Sequence, residues 1–127
     1  MGEPRPRLIA LGMARYWRAP DGLRLDTAPF VMTLSHATGA EPLVLGKPSC
    51  DFFLAALEML EVGAEEAVMI GDDIVGDVDG AQKAGLQGIL VRTGKFQPND
   101  LNGEIEPDAV LESAADLPDW FSCSESR

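Results

Sequence analysis

One continuous apolar run, Ala67-Val68-Met69-Ile70, which leads straight into Gly71-Asp72-Asp73, constrains the fold of this chain more than any other stretch. Successive strand side chains point to opposite faces, so four apolar residues in a row predict a strand covered on both sides. A second such run, Gly88-Ile89-Leu90-Val91, follows a helical segment over residues 78–84 that Gly85 terminates. Upstream, residues 43–45 read as a strand ending at Gly46. Residues 51–60 place Phe53, Ala56, Leu57 and Leu60 at helical spacing. Strand–helix–strand–helix–strand in this order predicts an α/β fold, a parallel sheet wrapped by helices. Residues 109–111 add a last short strand, and Ser113 with Asp116 has capping-box spacing for a helix running toward Phe121. Residues 93–106 show no periodicity and are expected to be loop, and residues 122–127 a frayed tail.

The first third is organised differently. Residues 8–11 form a short buried strand, and residues 23–25 another, with turn chemistry at Ala19-Pro20-Asp21-Gly22 between them. Asp26 or Thr27 can cap a helix that has Pro29 in its first turn, where a missing N–H costs nothing. Phe30, Val31, Leu34 and Ala37 fall on one face of that helix, and Gly39 is a natural stop.

Composition narrows the function. The formal net charge of the 127 residues is −11, with no basic block, so a phosphate backbone would be repelled and nucleic-acid binding is not expected. The N-terminal apolar stretch is too short to span a bilayer, and the start, Met1-Gly2-Glu3-Pro4, has neither a secretory nor a convincing lipidation pattern. Two cysteines, Cys50 and Cys123, and a single histidine, His36, offer no disulfide framework and no zinc spacing. The expectation is a soluble cytoplasmic protein without membrane or nucleic-acid partners.

The loop Gly71-Asp72-Asp73-Ile74-Val75-Gly76-Asp77 holds the strongest chemical signal. In open parallel sheets, ligands bind beyond the carboxyl ends of the strands, where this loop lies. Crowded carboxylates repel by about 4 kcal/mol per pair at roughly 4 Å and an effective dielectric of about 20, a cost that a divalent cation removes. Oxygen donors without His or Cys point to Mg²⁺. The competing reading is ordinary turn and N-cap chemistry, with Asp79 decorating a solvated helix. Lys47, in Gly46-Lys47-Pro48, stands at the end of the preceding strand. Alone it reads as an exposed turn lysine, but beside the acidic loop its point charge is expected to meet a phosphoryl oxygen or a carboxylate.

The segment Leu45-Gly46-Lys47-Pro48, the run MIGDDIVGDVDGAQKAG over residues 69–85, and Val91-Arg92-Thr93-Gly94-Lys95 together resemble the haloacid dehalogenase (HAD) superfamily, in its capped phosphatase subgroup. The resemblance covers residues 8–121. It implies that residues 1–39 are the C-terminal remnant of an α/β cap domain, and residues 40–127 the C-terminal half of a Rossmann-like HAD core with a parallel sheet. It further implies that Asp72 ligates Mg²⁺, that Asp73 and Asp77 support the metal and its waters, and that Lys47 contacts the transferring phosphoryl group. The implied substrate is a small phosphate ester, phosphoamide or pyrophosphate, hydrolysed through an aspartyl-phosphate.

That chemistry requires a nucleophilic aspartate and a general acid aspartate in a D-x-D-x-T/V segment. Asp77-Val78-Asp79-Gly80 comes nearest, and it lies inside the metal-binding motif. The chain is therefore expected to be inactive alone, as a fragment, a truncated isoform or a misdrawn gene model. The alternative is a non-catalytic binding or regulatory module. Strand 67–70 is expected to expose an apolar edge through which the chain pairs with a relative, and the resemblance also permits a homodimer. A response-regulator receiver fits poorly, because there the acidic pair comes first and the lysine last. Arg15, Tyr16 and Trp17 read as cap core rather than pocket lining.

Overall fold

The computed structural model describes residues 4–125, so the readings placed on residues 1–3 and 126–127 lie outside the described residues. Among the described residues three small sheets and four α-helices follow one another. Strand β1, Ile9–Ala10, pairs in parallel with β4, Leu43–Val44. Backbone bonds Leu43 N to Leu8 O and Leu45 N to Ala10 O, both 2.9 Å, join chain on either side of position 39. Met13 N donates to Lys47 O at 3.1 Å and fixes the peptide that presents Lys47.

Between them lie a hairpin and a helix. Strands β2, Tyr16–Ala19, and β3, Gly22–Leu25, pair antiparallel across the Pro20–Asp21 turn, with Ala19 opposite Gly22. The turn and β3 match expectation, whereas β2 was not foreseen as a strand. Helix α1, Thr27–Thr38, is capped by Asp26, which accepts the Thr27 N–H at 2.7 Å, and stops at Gly39 with φ 68°. Its expected apolar face is wrong in part. Phe30 and Leu34 are 61% and 52% exposed, and of the expected face the helix buries Val31, with Ala28 beside it. Helical spacing located an apolar stripe, but no other described element covers it.

Helix α2, Cys50–Leu60, does bury Phe53 and Leu57, although Leu60 remains exposed. Strands β5, Val68–Gly71, β6, Gln87–Val91, and β7, Ala109–Leu111, form a parallel sheet in that order, with Ile70 opposite Ile89 and Ile89 opposite Ala109. The strand covered on both faces is β6, whose Ile89 and Leu90 are fully buried. β5 is not: Val68 is exposed, and among the described residues β6 is its only strand neighbour. Burial follows position here, since a central strand is flanked on both sides and an edge strand on one.

The β5–β6 crossover begins with a π-helical turn, Ile74–Asp79, in which Val78 N reaches back to Asp73 O at 3.2 Å, and continues as α3, Gly80–Lys83. Ile74, Val78 and Leu90 form the core beneath the acidic loop, with Phe96, Ile105 and Val110 packed against them. Each buried side chain of this size stabilises by about 1.5–3 kcal/mol. Ser113 caps the turn Ala114–Asp116 as its spacing predicted, accepting from Ala115 N at 3.1 Å while Asp116 accepts from Ser113 N at 3.0 Å. Helix α4, Leu117–Glu125, extends through most of the expected frayed tail. Among the described residues no helix is long and apolar enough to cross a membrane.

Candidate functional site

Three loops meet at the carboxyl ends of β4, β5 and β6. They carry Lys47, the acidic turn from Asp72 to Asp77, and the Gly94-Lys95 pair. Lys47 Nζ lies 2.5 Å from Asp77 Oδ1. Asp77 is only 3% exposed, and its Oδ2 also accepts the Asp73 N–H at 3.1 Å, so a buried charge is both paired and hydrogen-bonded. The Lys47–Pro48 peptide bond is cis.

Asp73 has two roles. Its Oδ1 caps the π-helical turn, accepting Val75 N at 3.1 Å and Gly76 N at 3.0 Å, and its Oδ2 lies 2.7 Å from Lys95 Nζ. Burial alone would raise the Asp73 pKa. The Lys95 ammonium and the Gly76 and Val75 N–H groups outweigh burial and hold the carboxyl below its ordinary range. For Lys95 burial disfavours the charge, but Asp73, with Asp72 and Asp77 behind it, raises the pKa above the usual lysine value.

Asp72 is held differently, with Oδ2 accepting the backbone N–H of Lys95 at 2.8 Å. Gly94, at φ 62°, makes that approach possible, because a Cβ there would overlap the Asp72 carboxylate. A Cβ at Gly71 would overlap the carboxylate of Asp77.

The four residues singled out from the sequence, Lys47, Asp72, Asp73 and Asp77, thus occupy one rim. They do not form a cage of carboxylates. Among the described residues no group of three or more His, Cys, Asp or Glu side chains is gathered for a metal. Asp77 turns to Lys47 and Asp73 to Lys95, so both the turn-capping reading and the charged-site reading hold for this loop. Mg²⁺ commonly takes one or two carboxylates and completes its shell with water and phosphate. One carboxylate with an oxygen to spare, Asp72, fits that demand.

Lys95 escaped the reading of single residues. Its signal was present, because Gly94-Lys95 follows buried β6 much as Gly46-Lys47 follows β4. The hairpin was misjudged as well. Arg15 and Trp17 are exposed rather than cap core, and Arg15 and Tyr16 join Asp100 in closing a small polar pocket over Asp72, Asp73 and Lys95. Asp79 pairs with Lys83 at 2.6 Å along the helix, the decorating role foreseen for it. Cys50 and Cys123 are free and exposed.

The model of a family described as HAD-hydrolase-like matches residues 44–117. Phospholysine phosphohistidine inorganic pyrophosphate phosphatase of Homo sapiens is 47% identical over 116 residues, which are 91% of this chain and 43% of the relative. Haloacid dehalogenase-like hydrolase domain-containing protein 2 of Mus musculus is 53% identical over 104 residues, 82% of this chain and 40% of the relative. Among solved structures, p-nitrophenyl phosphatase from Archaeoglobus fulgidus superposes with a TM-score of 0.78 at 32% identity, covering 90% of this chain and 46% of its own. This chain therefore spans less than half the length of the curated relatives it matches.

Proposed function

This chain belongs to the HAD-hydrolase-like family, and from that premise we propose that it carries the metal- and phosphoryl-binding half of a Mg²⁺-dependent phosphohydrolase site. The observation that carries the proposal is the Lys47–Asp77 ion pair of 2.5 Å, which brings the ends of β4 and β5 to one point. Asp77 holds the Lys47 ammonium where its point charge can meet a phosphoryl oxygen. Asp72 keeps an oxygen available to a cation, and Asp73 supports it by shaping the turn and anchoring Lys95. Mg²⁺, when bound, neutralises charge on the phosphoryl oxygens. Small phosphate esters, phosphoamides and pyrophosphate are the substrate classes in keeping with the relatives. The cap boundary near residue 39 belongs to the same proposal.

Hydrolysis by this route needs a nucleophilic carboxylate in a D-x-D-x-T/V segment, and within these 127 residues only Asp77-Val78-Asp79-Gly80, inside the acidic turn, approaches that pattern. The chain alone is proposed to bind Mg²⁺ and phosphate without turnover. Calorimetric titration with Mg²⁺ tests the site: Asp72→Asn is expected to weaken binding at least about tenfold, and equal affinity in the two proteins would refute the assignment. Incubation with p-nitrophenyl phosphate and Mg²⁺ tests inactivity, which fails if turnover occurs and disappears in Asp72→Asn.

A binding or regulatory module is the second reading, supported by the free edge of β5 and its exposed Val68. Light scattering after size exclusion separates the two, since a compact monomer with no tendency to pair argues against the module.

A further inference from the structure

The pocket over Asp72 holds a guanidinium, that of Arg15, that the phosphoryl site does not use. The Tyr16 ring has two cations against it, Arg15 with its guanidinium carbon 5.7 Å from the ring centroid and Lys95 with its ammonium at 5.8 Å. Asp73 neutralises Lys95 at 2.7 Å. Asp100, on the same pocket wall, accepts the Gln97 N–H at 2.8 Å and forms no ion pair with Arg15. Among the described residues no carboxylate lies within ion-pairing distance of Arg15. An unpaired guanidinium is thus left on a pocket wall in a chain whose formal net charge is −11.

An exposed arginine is ordinarily a solvated one, but this one is carried on a fixed backbone. Asp26 N donates to Arg15 O at 3.1 Å and Ala28 N to Ala14 O at 2.9 Å, joining the base of the hairpin to the start of α1. On the other side, Arg18 Nε donates to Gly94 O at 2.8 Å and Lys95 Nζ to Tyr16 O at 3.3 Å, which fastens β2 to the loop that holds Asp72. The planar guanidinium suits bidentate pairing with a carboxylate or phosphate.

We propose that Arg15 is a second anion subsite, so that this site selects phosphorylated substrates whose leaving group carries a further anionic group over those whose leaving group is neutral or cationic. The inference rests on the phosphoryl site proposed above.

Two non-hydrolysable probes test it by equilibrium calorimetry on the full chain with Mg²⁺ present: phosphonoacetate, with a second anionic group, and methylphosphonate, without one. Phosphonoacetate is expected to bind about tenfold tighter. Arg15→Gln should abolish that advantage and leave methylphosphonate within about twofold of its original affinity, while Arg15→Lys retains part of it. Lys47→Met should weaken both probes alike. Equal affinity of the original chain for the two probes overturns the Arg15 subsite, as does an Arg15→Gln loss shared equally by both. If neither probe binds, or binding ignores Lys47→Met, the phosphoryl site fails and the subsite with it. Thermal melting of Arg15→Gln within about 2 °C of the original, and of Lys47→Met above the titration temperature, confirms that the comparison is between folded proteins.

Discussion

Lys47 and Asp77 form an ion pair of unequal partners: the aspartate side chain is 4% exposed and the lysine side chain 40%. Removing either end therefore has different consequences. Lys47→Met leaves a buried charge without its counterion, which costs about 3 kcal/mol or more. Asp77→Asn leaves an ammonium that can turn toward water, and an amide oxygen still able to accept the Asp73 N–H, so about 1–2 kcal/mol is expected. Urea denaturation of the two variants checks the ordering. If Asp77→Asn is the more damaging change, the aspartate is not the buried, dependent partner described here.

The site is partly legible in the sequence because its residues sit in local patterns. A carboxylate cluster directly after an apolar run, and a Gly-Lys-Pro at another strand end, each identify a loop at the rim of a sheet. Lys95 was harder to place, since its bonds to Asp72 and Asp73 depend on β5 and β6 lying side by side, and strand adjacency is a property of the folded chain. The π-helical turn at Ile74–Asp79 was hidden for a related reason. It inserts one residue into a helix start, and apolar periodicity over so short a segment cannot register that. Phe30 and Leu34 show the limit most clearly, because a helical stripe announces an apolar face and says nothing about what covers it.

Gly94 is predicted to be irreplaceable at the site. Its φ of 62° disfavours any side chain, and a Cβ would run into the Asp72 carboxylate. Gly94→Ala should cost more than the roughly 1 kcal/mol typical of a strained backbone position, because the carboxylate must also move. Denaturation midpoints give the stability loss. A parallel Mg²⁺ titration should show weakened binding, and a variant that retains both stability and metal affinity would contradict the cradle.

The Asp73–Lys95 pair predicts a particular dependence on pH in metal-free solution. Asp73 has a folded pKa below its ordinary value of 3.8, so its contribution is present above that value and disappears as pH falls through the depressed one. Lys95 is raised above 10.5, so its contribution is complete below 10.5 and is lost as pH rises through the raised value. The stability difference between the original chain and Asp73→Asn should be flat across neutral pH and shrink at both extremes. Asparagine is an effective cap, which leaves the charge as the main variable. Denaturation in chelator at a series of pH values reads this directly, and a difference that persists unchanged in strong acid rules the charge pairing out.

Arg18 makes the connection between the hairpin and the loop that holds Asp72 testable. Its Nε donates to Gly94 O at 2.8 Å, and the next residue, Lys95, gives its backbone N–H to Asp72 at 2.8 Å, so one peptide link separates the hairpin contact from the carboxylate. Arg18→Gln removes a charge-assisted bond at an exposed position, for which about 1 kcal/mol is the appropriate scale. The loss should be local: amide exchange should quicken in β2 and β3, while β6, buried at Ile89 and Leu90, keeps its protection. Because linkage is reciprocal, Mg²⁺ bound at Asp72 should slow exchange in the hairpin of the original chain, and do so less in Arg18→Gln. Hairpin exchange rates indifferent to both the substitution and the metal would mean that Arg18 merely touches Gly94 and transmits nothing to the site.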